Sequence, residues 1–169
     1  MIMTFEGKTP EVHPEAFIAE NASLIGDVKI GKDSSVWFGA VIRGDDCPIY
    51  VGDRTSIQDN CVLHCESEEP LMIGNDVTIG HGAVIHCQAI GDHVVVGMGA
   101  TVLNGAVIGE NSIVAAGALV KENEIIPAGC LVAGVPAKIK RYLDEEAIAH
   151  LQEEPYYVGL CRRFIENEK

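Results

Sequence analysis

At 169 residues with 47% apolar content, the chain fits one domain and is long enough to bury a core. Twenty-five acidic residues against 12 basic ones, a net charge of -13, exclude nucleic acid and an anionic membrane surface as partners, because like charge repels both. The first residues lack the charged n-region and apolar run of a secretory signal, and no stretch reaches the roughly 20 apolar residues of a membrane span, so a soluble cytoplasmic protein is expected.

Glycine is frequent, aromatics are sparse and β-branched aliphatics abound, a balance that favours thin, regular β structure. An aliphatic residue recurs every six positions at Val12, Ile18, Leu24, Ile30, Val36 and Ile42. After three extra residues the phase resumes at Val51, Ile57 and Leu63, and after four more at Ile73, Ile79 and Ile85. One residue is then dropped, and the series continues from Ile90 through Val96, Val102, Ile108, Val114, Val120 and Ile126 to Val132. The second position of the hexad is often glycine and the fifth is small, as in Ala22, Ala40, Ala83, Ala100 and Ser112.

A large aliphatic and a small residue pointing inward every six positions is what a parallel β-helix with short flat sides requires. Each hexad supplies one side and one corner, so the twenty hexads predict six to seven triangular coils. The period leaves the handedness open. The repeat body is expected over 1–137 and a helical appendage, packed on the body or on a neighbouring subunit, over 138–169. Within that appendage Asp144 offers an N-cap with acidic residues in the first turn, and Ile148 and Leu151 share a face. Pro155 opens a second helix lined on one side by Tyr157, Cys161 and Phe164, or by Leu160 and Phe164.

The six cysteines form no CxxC pair, and we read them as reduced, mostly buried thiols. Three of the six histidines fall between Leu63 and His86. If each insertion is a loop at a corner, Ile42, Leu63 and Ile85 lie on one side in successive coils, and Arg43, His64 and His86 form a column beside them. One coil is about 4.8 Å, close enough for both imidazoles to reach one ion at about 2.1 Å. His81 follows Ile79 on an adjacent side, so three ligands from one chain are awkward. A trimer, in which each subunit gives His64 and His86 to one site and His81 to its neighbour's, resolves this. Three histidines leave a coordination position for water, whose proton a catalytic zinc makes labile near neutrality. Cys65 and Cys87 stack in the same construction, yet adjacent strand residues face opposite ways, which argues against their sharing an ion with the histidines.

Arg43-Gly44-Asp45, Gln58-Asp59 and the trio His64, His81 and His86 resemble the gamma-class carbonic anhydrases among the hexapeptide-repeat proteins, a similarity that covers nearly the whole chain. The resemblance implies a left-handed β-helix with C-terminal helices and a homotrimer. It also implies Zn2+, or Fe2+ or Co2+, held by His64 and His86 of one subunit and His81 of the next, and reversible hydration of CO2 to bicarbonate by metal-bound hydroxide. It further implies an ion pair of Arg43 with Asp45 that ties subunits together. Gln58 and Asp59 would orient groups around the metal-bound water, and Tyr157 would approach from the terminal helix. Two departures stand out. The family's glutamate after the RxD motif is here Asp46, and its long acidic loop is here only Cys65-Glu66-Ser67-Glu68-Glu69-Pro70, where Glu66, Glu68 or Glu69 would relay protons. Two other functions are weighed against this one: an acyl-CoA-related transferase or thioesterase, and a metal-binding assembly module without turnover.

Overall fold

The computed structural model describes residues 1–66 and 69–167. Its twenty aliphatic positions stack into three columns. The first side carries Leu24, Ile42, Leu63, Ile85, Val102 and Val120 in parallel register. The second runs from Val12 and Ile30 through Val51, Ile73, Ile90 and Ile108 to Ile126. The third runs from Ile18 and Val36 through Ile57, Ile79, Val96 and Val114 to Val132. The result is a left-handed parallel β-helix of about seven turns.

All the column residues except Val12 and Ile18 are buried, and each aliphatic taken fully out of water is worth roughly 1.5–3 kcal/mol. Small fifth-position residues such as Ala22, Ala40, Ala83 and Ala100 are buried beside them and let the sides close. Backbone amides bond from coil to coil, as in Gly31 N to Val51 O at 2.9 Å and Gly52 N to Ile73 O at 2.8 Å.

All three irregularities of the hexad fall at one corner, between the first and second sides: the three extra residues after Ile42, the four after Leu63 and the one missing after Ile85. In the two early coils this corner is spanned by continuous strands, Ser23–Ile30 and Val41–Val51. Gly44 sits in the second of them, packed so closely that a Cβ there would lie 2.5 Å from the carbonyl oxygen of Asp27. The second hexad position is glycine at Gly31, Gly52, Gly74 and Gly91 on the second side, whereas the first side carries Ile25, Arg43, His64 and His86 there.

The last coil differs from the helical spacing expected after the repeat. Lys138–Tyr142 is a strand that turns back antiparallel onto Cys130–Ala133, with every residue exposed. Helix α1, Glu145–Leu151, follows, with the Asp144 side chain accepting from the Ala147 amide at 2.9 Å. Helix α2, Tyr156–Asn167, lies against Phe17–Ile18 and Ser35–Val36 on the third side. Val158 and Cys161 are its buried residues. Phe164 meets the rings of Phe17 and Trp37 at 5.2 and 5.1 Å, and Arg162 pairs with Asp33 at 3.1 Å. No helix among the described residues is long and apolar enough to cross a membrane.

The cysteines need a correction. Cys47 and Cys65 are joined by a disulfide with their Cα atoms 6.0 Å apart, while Cys61, Cys87, Cys130 and Cys161 are free and buried. The two extra loops at the widened corner bring Cys47 and Cys65 into the same interior space, a proximity that linear spacing does not reveal.

Candidate metal centre

His64 is nearly buried, with only 8% of its side chain exposed. Its Nδ1 lies 2.9 Å from His86 Nε2, with the ring centroids 4.9 Å apart. Its other nitrogen, Nε2, lies 3.2 Å from both Asp45 Oδ1 and Asp46 Oδ2. Arg43 forms an ion pair with Asp45 within the same chain. On the far side, His86 Nδ1 bonds to Asn104 Oδ1.

These partners assign the tautomers. With Nε2–H of His64 donated to Asp45 and Nδ1–H of His86 donated to Asn104, the facing nitrogens each present a lone pair. Two acceptors 2.9 Å apart repel unless a cation lies between them. The pair therefore fits a borderline-soft divalent metal, with Asp45 and Asn104 as the outer groups that orient the ligands. Burial is the largest influence on the Asp45 carboxyl and pushes it up. Hydrogen bonds from Arg43 and the backbone and the charge of Arg43 outweigh it, leaving the group below its usual range.

The second set of residues stands on the third side. His81 Nδ1 lies 2.8 Å from Asp59 Oδ2, and the His81 side chain is 45% exposed. Gln58 is buried beneath it and its Oε1 accepts from the His81 amide at 3.1 Å. Tyr157 reaches this group from α2 and hydrogen-bonds Gln58; burial first, then the negative charge of Asp59, raises its hydroxyl pKa. Within one chain, then, Arg43, Asp45, Asp46, His64 and His86 meet at one corner, and Gln58, Asp59, His81 and Tyr157 meet at another.

Three features escaped sequence reasoning. Asn104, at the third hexad position of the next coil, reaches the His86 imidazole. Glu66 places a carboxylate oxygen with His64 and His86 such that the three ligand atoms lie within 4.8 Å of one another. Glu66 and Glu69 also line, with His86, Gln88, Asn104 and Gly105, a cavity of about 170 Å³. Glu68, the third glutamate of the short loop, lies outside the described residues. Neither Cys65 nor Cys87 joins a ligand group: Cys65 is bonded to Cys47, and burial pushes the Cys87 thiol up to about 12.

Residues 89–122 match the model of the bacterial transferase hexapeptide family (six repeats). A carbonic anhydrase of Geobacillus kaustophilus is 42% identical over 90% of this chain and 84% of its own length. The mitochondrial gamma carbonic anhydrase 2 of Arabidopsis thaliana is 45% identical over 95% of this chain, which spans 60% of that longer protein. Among solved structures, a hexapeptide transferase family protein from Anaplasma phagocytophilum superimposes with a TM-score of 0.91 at 44% identity, covering 96% of this chain and 97% of that one. The chain belongs to the gamma-class carbonic anhydrase family of hexapeptide-repeat proteins.

Proposed function

We propose that the protein is a homotrimeric, zinc-dependent carbonic anhydrase that interconverts CO2 and bicarbonate at sites shared between subunits, with Fe2+ or Co2+ as chemically equivalent occupants. The observation that carries this reading is the 2.9 Å approach of ring nitrogens from His64 and His86 in a chain whose third histidine, His81, stands on another side. A rotation that sets the first side of one subunit against the His81 corner of the next completes the trio. Exposed apolar residues support such a contact: Val62 and Val84 run down the outer face of the first side, and in the column of His81 Met98 lies one coil beyond it and Phe38 two coils before it.

The metal, when bound, supplies the Lewis acidity that makes water a nucleophile near neutral pH. Around it, Asp45 holds the His64 ring by its Nε2–H, and Arg43 holds Asp45. Gln58, fixed by the His81 amide and by Tyr157, presents its side chain beside Asp59 to position substrate oxygen. Asp46, 57% exposed and 3.2 Å from His64, and Glu66 and Glu69 in the adjacent cavity are the groups able to pass a proton to buffer.

Metal analysis and a CO2 hydration assay on wild type and His81→Ala test the proposal. Wild type should carry one ion per chain and hydrate CO2, and His81→Ala should bind metal more weakly and lose hydration. A fully metal-loaded wild type that does not hydrate CO2 would overturn it, and coenzyme A binding by the same sample would point instead to acyl transfer.

A further inference from the structure

Strand Val62–His64 ends at His64, the following Cys65 is buried and tied to Cys47, and Glu66 returns to the surface. His86 joins His64 and Glu66 from the next coil, and the ligand atoms of His64, Glu66 and His86 all lie within 4.8 Å of one another. Two imidazole nitrogens and one carboxylate oxygen form a set that catalytic zinc sites use, and that suits Fe2+ and Co2+ as well. His81 belongs to neither group of potential ligands that converge among the described residues, being held by Asp59 on the third side.

We propose that His64, Glu66 and His86 form a complete divalent-cation site within a single subunit, in which Glu66 holds the coordination position that a neighbouring copy's His81 takes on assembly. The inference rests on the shared-site reading above and adds an order to it. A lone subunit captures its ion with its own three ligands, and trimer formation exchanges the exposed carboxylate for an imidazole. The disulfide one residue away keeps the loop end in place for the capture. After the exchange Glu66 is released beside the cavity lined by His86 and Asn104.

Co2+ binding to the full-length protein tests this, because the visible bands of Co2+ report the ligand set and chelator competition reports affinity without any turnover. His81→Ala should still bind one Co2+ per chain with the intense bands of a four-coordinate ion, more weakly than wild type. Glu66→Gln in that background should weaken binding at least about tenfold further and bleach those bands, since even outer partners of a ligand are worth about 10–100-fold. Both substitutions fall on exposed side chains, and circular dichroism verifies the fold. If the double variant binds as tightly as His81→Ala, or if folded His81→Ala binds no Co2+, the single-subunit site is wrong. If His81→Ala binds as tightly as wild type, the shared site is wrong and the single-subunit site stands.

Discussion

Asn104 Oδ1 accepts from His86 Nδ1 across one coil, and this bond turns His86 Nε2 toward His64 at 2.9 Å. Asn104→Leu removes the acceptor and leaves the imidazole free to change tautomer or rotate. Metal affinity should fall about 10–100-fold, with little change in unfolding free energy. Asn104→Asp, which restores the acceptor, should recover it. Chelator competition measures the affinity, and the 15N shifts of the His86 ring report the tautomer; an unaltered Nδ1–H signal in Asn104→Leu would count against this role.

Gly44 stands between Arg43 and Asp45 where a Cβ would lie 2.5 Å from Asp27 O. Gly44→Ala should cost about 1–3 kcal/mol in urea unfolding, the usual price of overpacking a tight contact. It should also shift Asp45 off His64 and weaken metal binding. Gly82→Ala is a poor comparison because Gly82 has a φ of +69°, so the control is Gly159→Ala, where a Cβ would meet nothing within 4 Å.

The Cys47–Cys65 disulfide closes a loop with a sequence separation of 18. Restricting the unfolded chain in this way is worth about 3 kcal/mol. Reduction, or Cys47→Ser with Cys65→Ser, should lower Tm by roughly 6–12 °C, given that 1 kcal/mol shifts a domain of this size by about 2–4 °C. Calorimetry with and without dithiothreitol measures it, and a wild-type Tm indifferent to the reductant would refute the claim.

Burial pushes the Cys61 and Cys87 thiols up to about 11 and about 12. Both groups stay protonated in the folded chain while unfolded thiols ionise above a pH of about 8.5. The unfolded state then binds fewer protons, so this part of the stability is complete below about pH 8.5 and is lost as pH rises toward 11 and 12. Urea unfolding from pH 8 to 10.5 should show a steeper decline in wild type than in Cys61→Ala with Cys87→Ala. Equal slopes would mean that these thiols are not linked to unfolding in that window. Alkylation at pH 8 should be slow for both thiols until denaturant is added.

The coil register was legible because each aliphatic column obeys one period, and a side chain that breaks the period exposes either a void or a charge. The same period placed Arg43 and His64 in register and His86 one coil further on, as the strand pairs of Ile42, Leu63 and Ile85 show. What lay outside the period was not legible. The Cys47–Cys65 pairing depends on how two loops of unequal length fold into one corner, and Asn104 meets His86 diagonally, from the third position of one hexad to the second of the hexad one coil before it. Lys138–Tyr142 falls within the expected helical appendage because the hexad period ends before it, and only its antiparallel pairing with Cys130–Ala133 makes it a strand. Glu66 looks like an ordinary solvated loop residue, and only the folded corner brings its carboxylate within 4.8 Å of the ligand nitrogens of His64 and His86.

His64 and His86 are 22 residues apart in the chain and one coil apart in space. Since every extra or missing residue is absorbed at a single corner, that number is free to change while the distance between the imidazoles is not. Ligand spacing along the chain, the usual signature of a metal motif, therefore carries little information in this architecture. A relative with a much longer loop after its first histidine would keep the same centre, and a chain with the same 22-residue gap but a different phase would lack it. The signature to search for is a histidine directly after the inward aliphatic in two successive coils of one side.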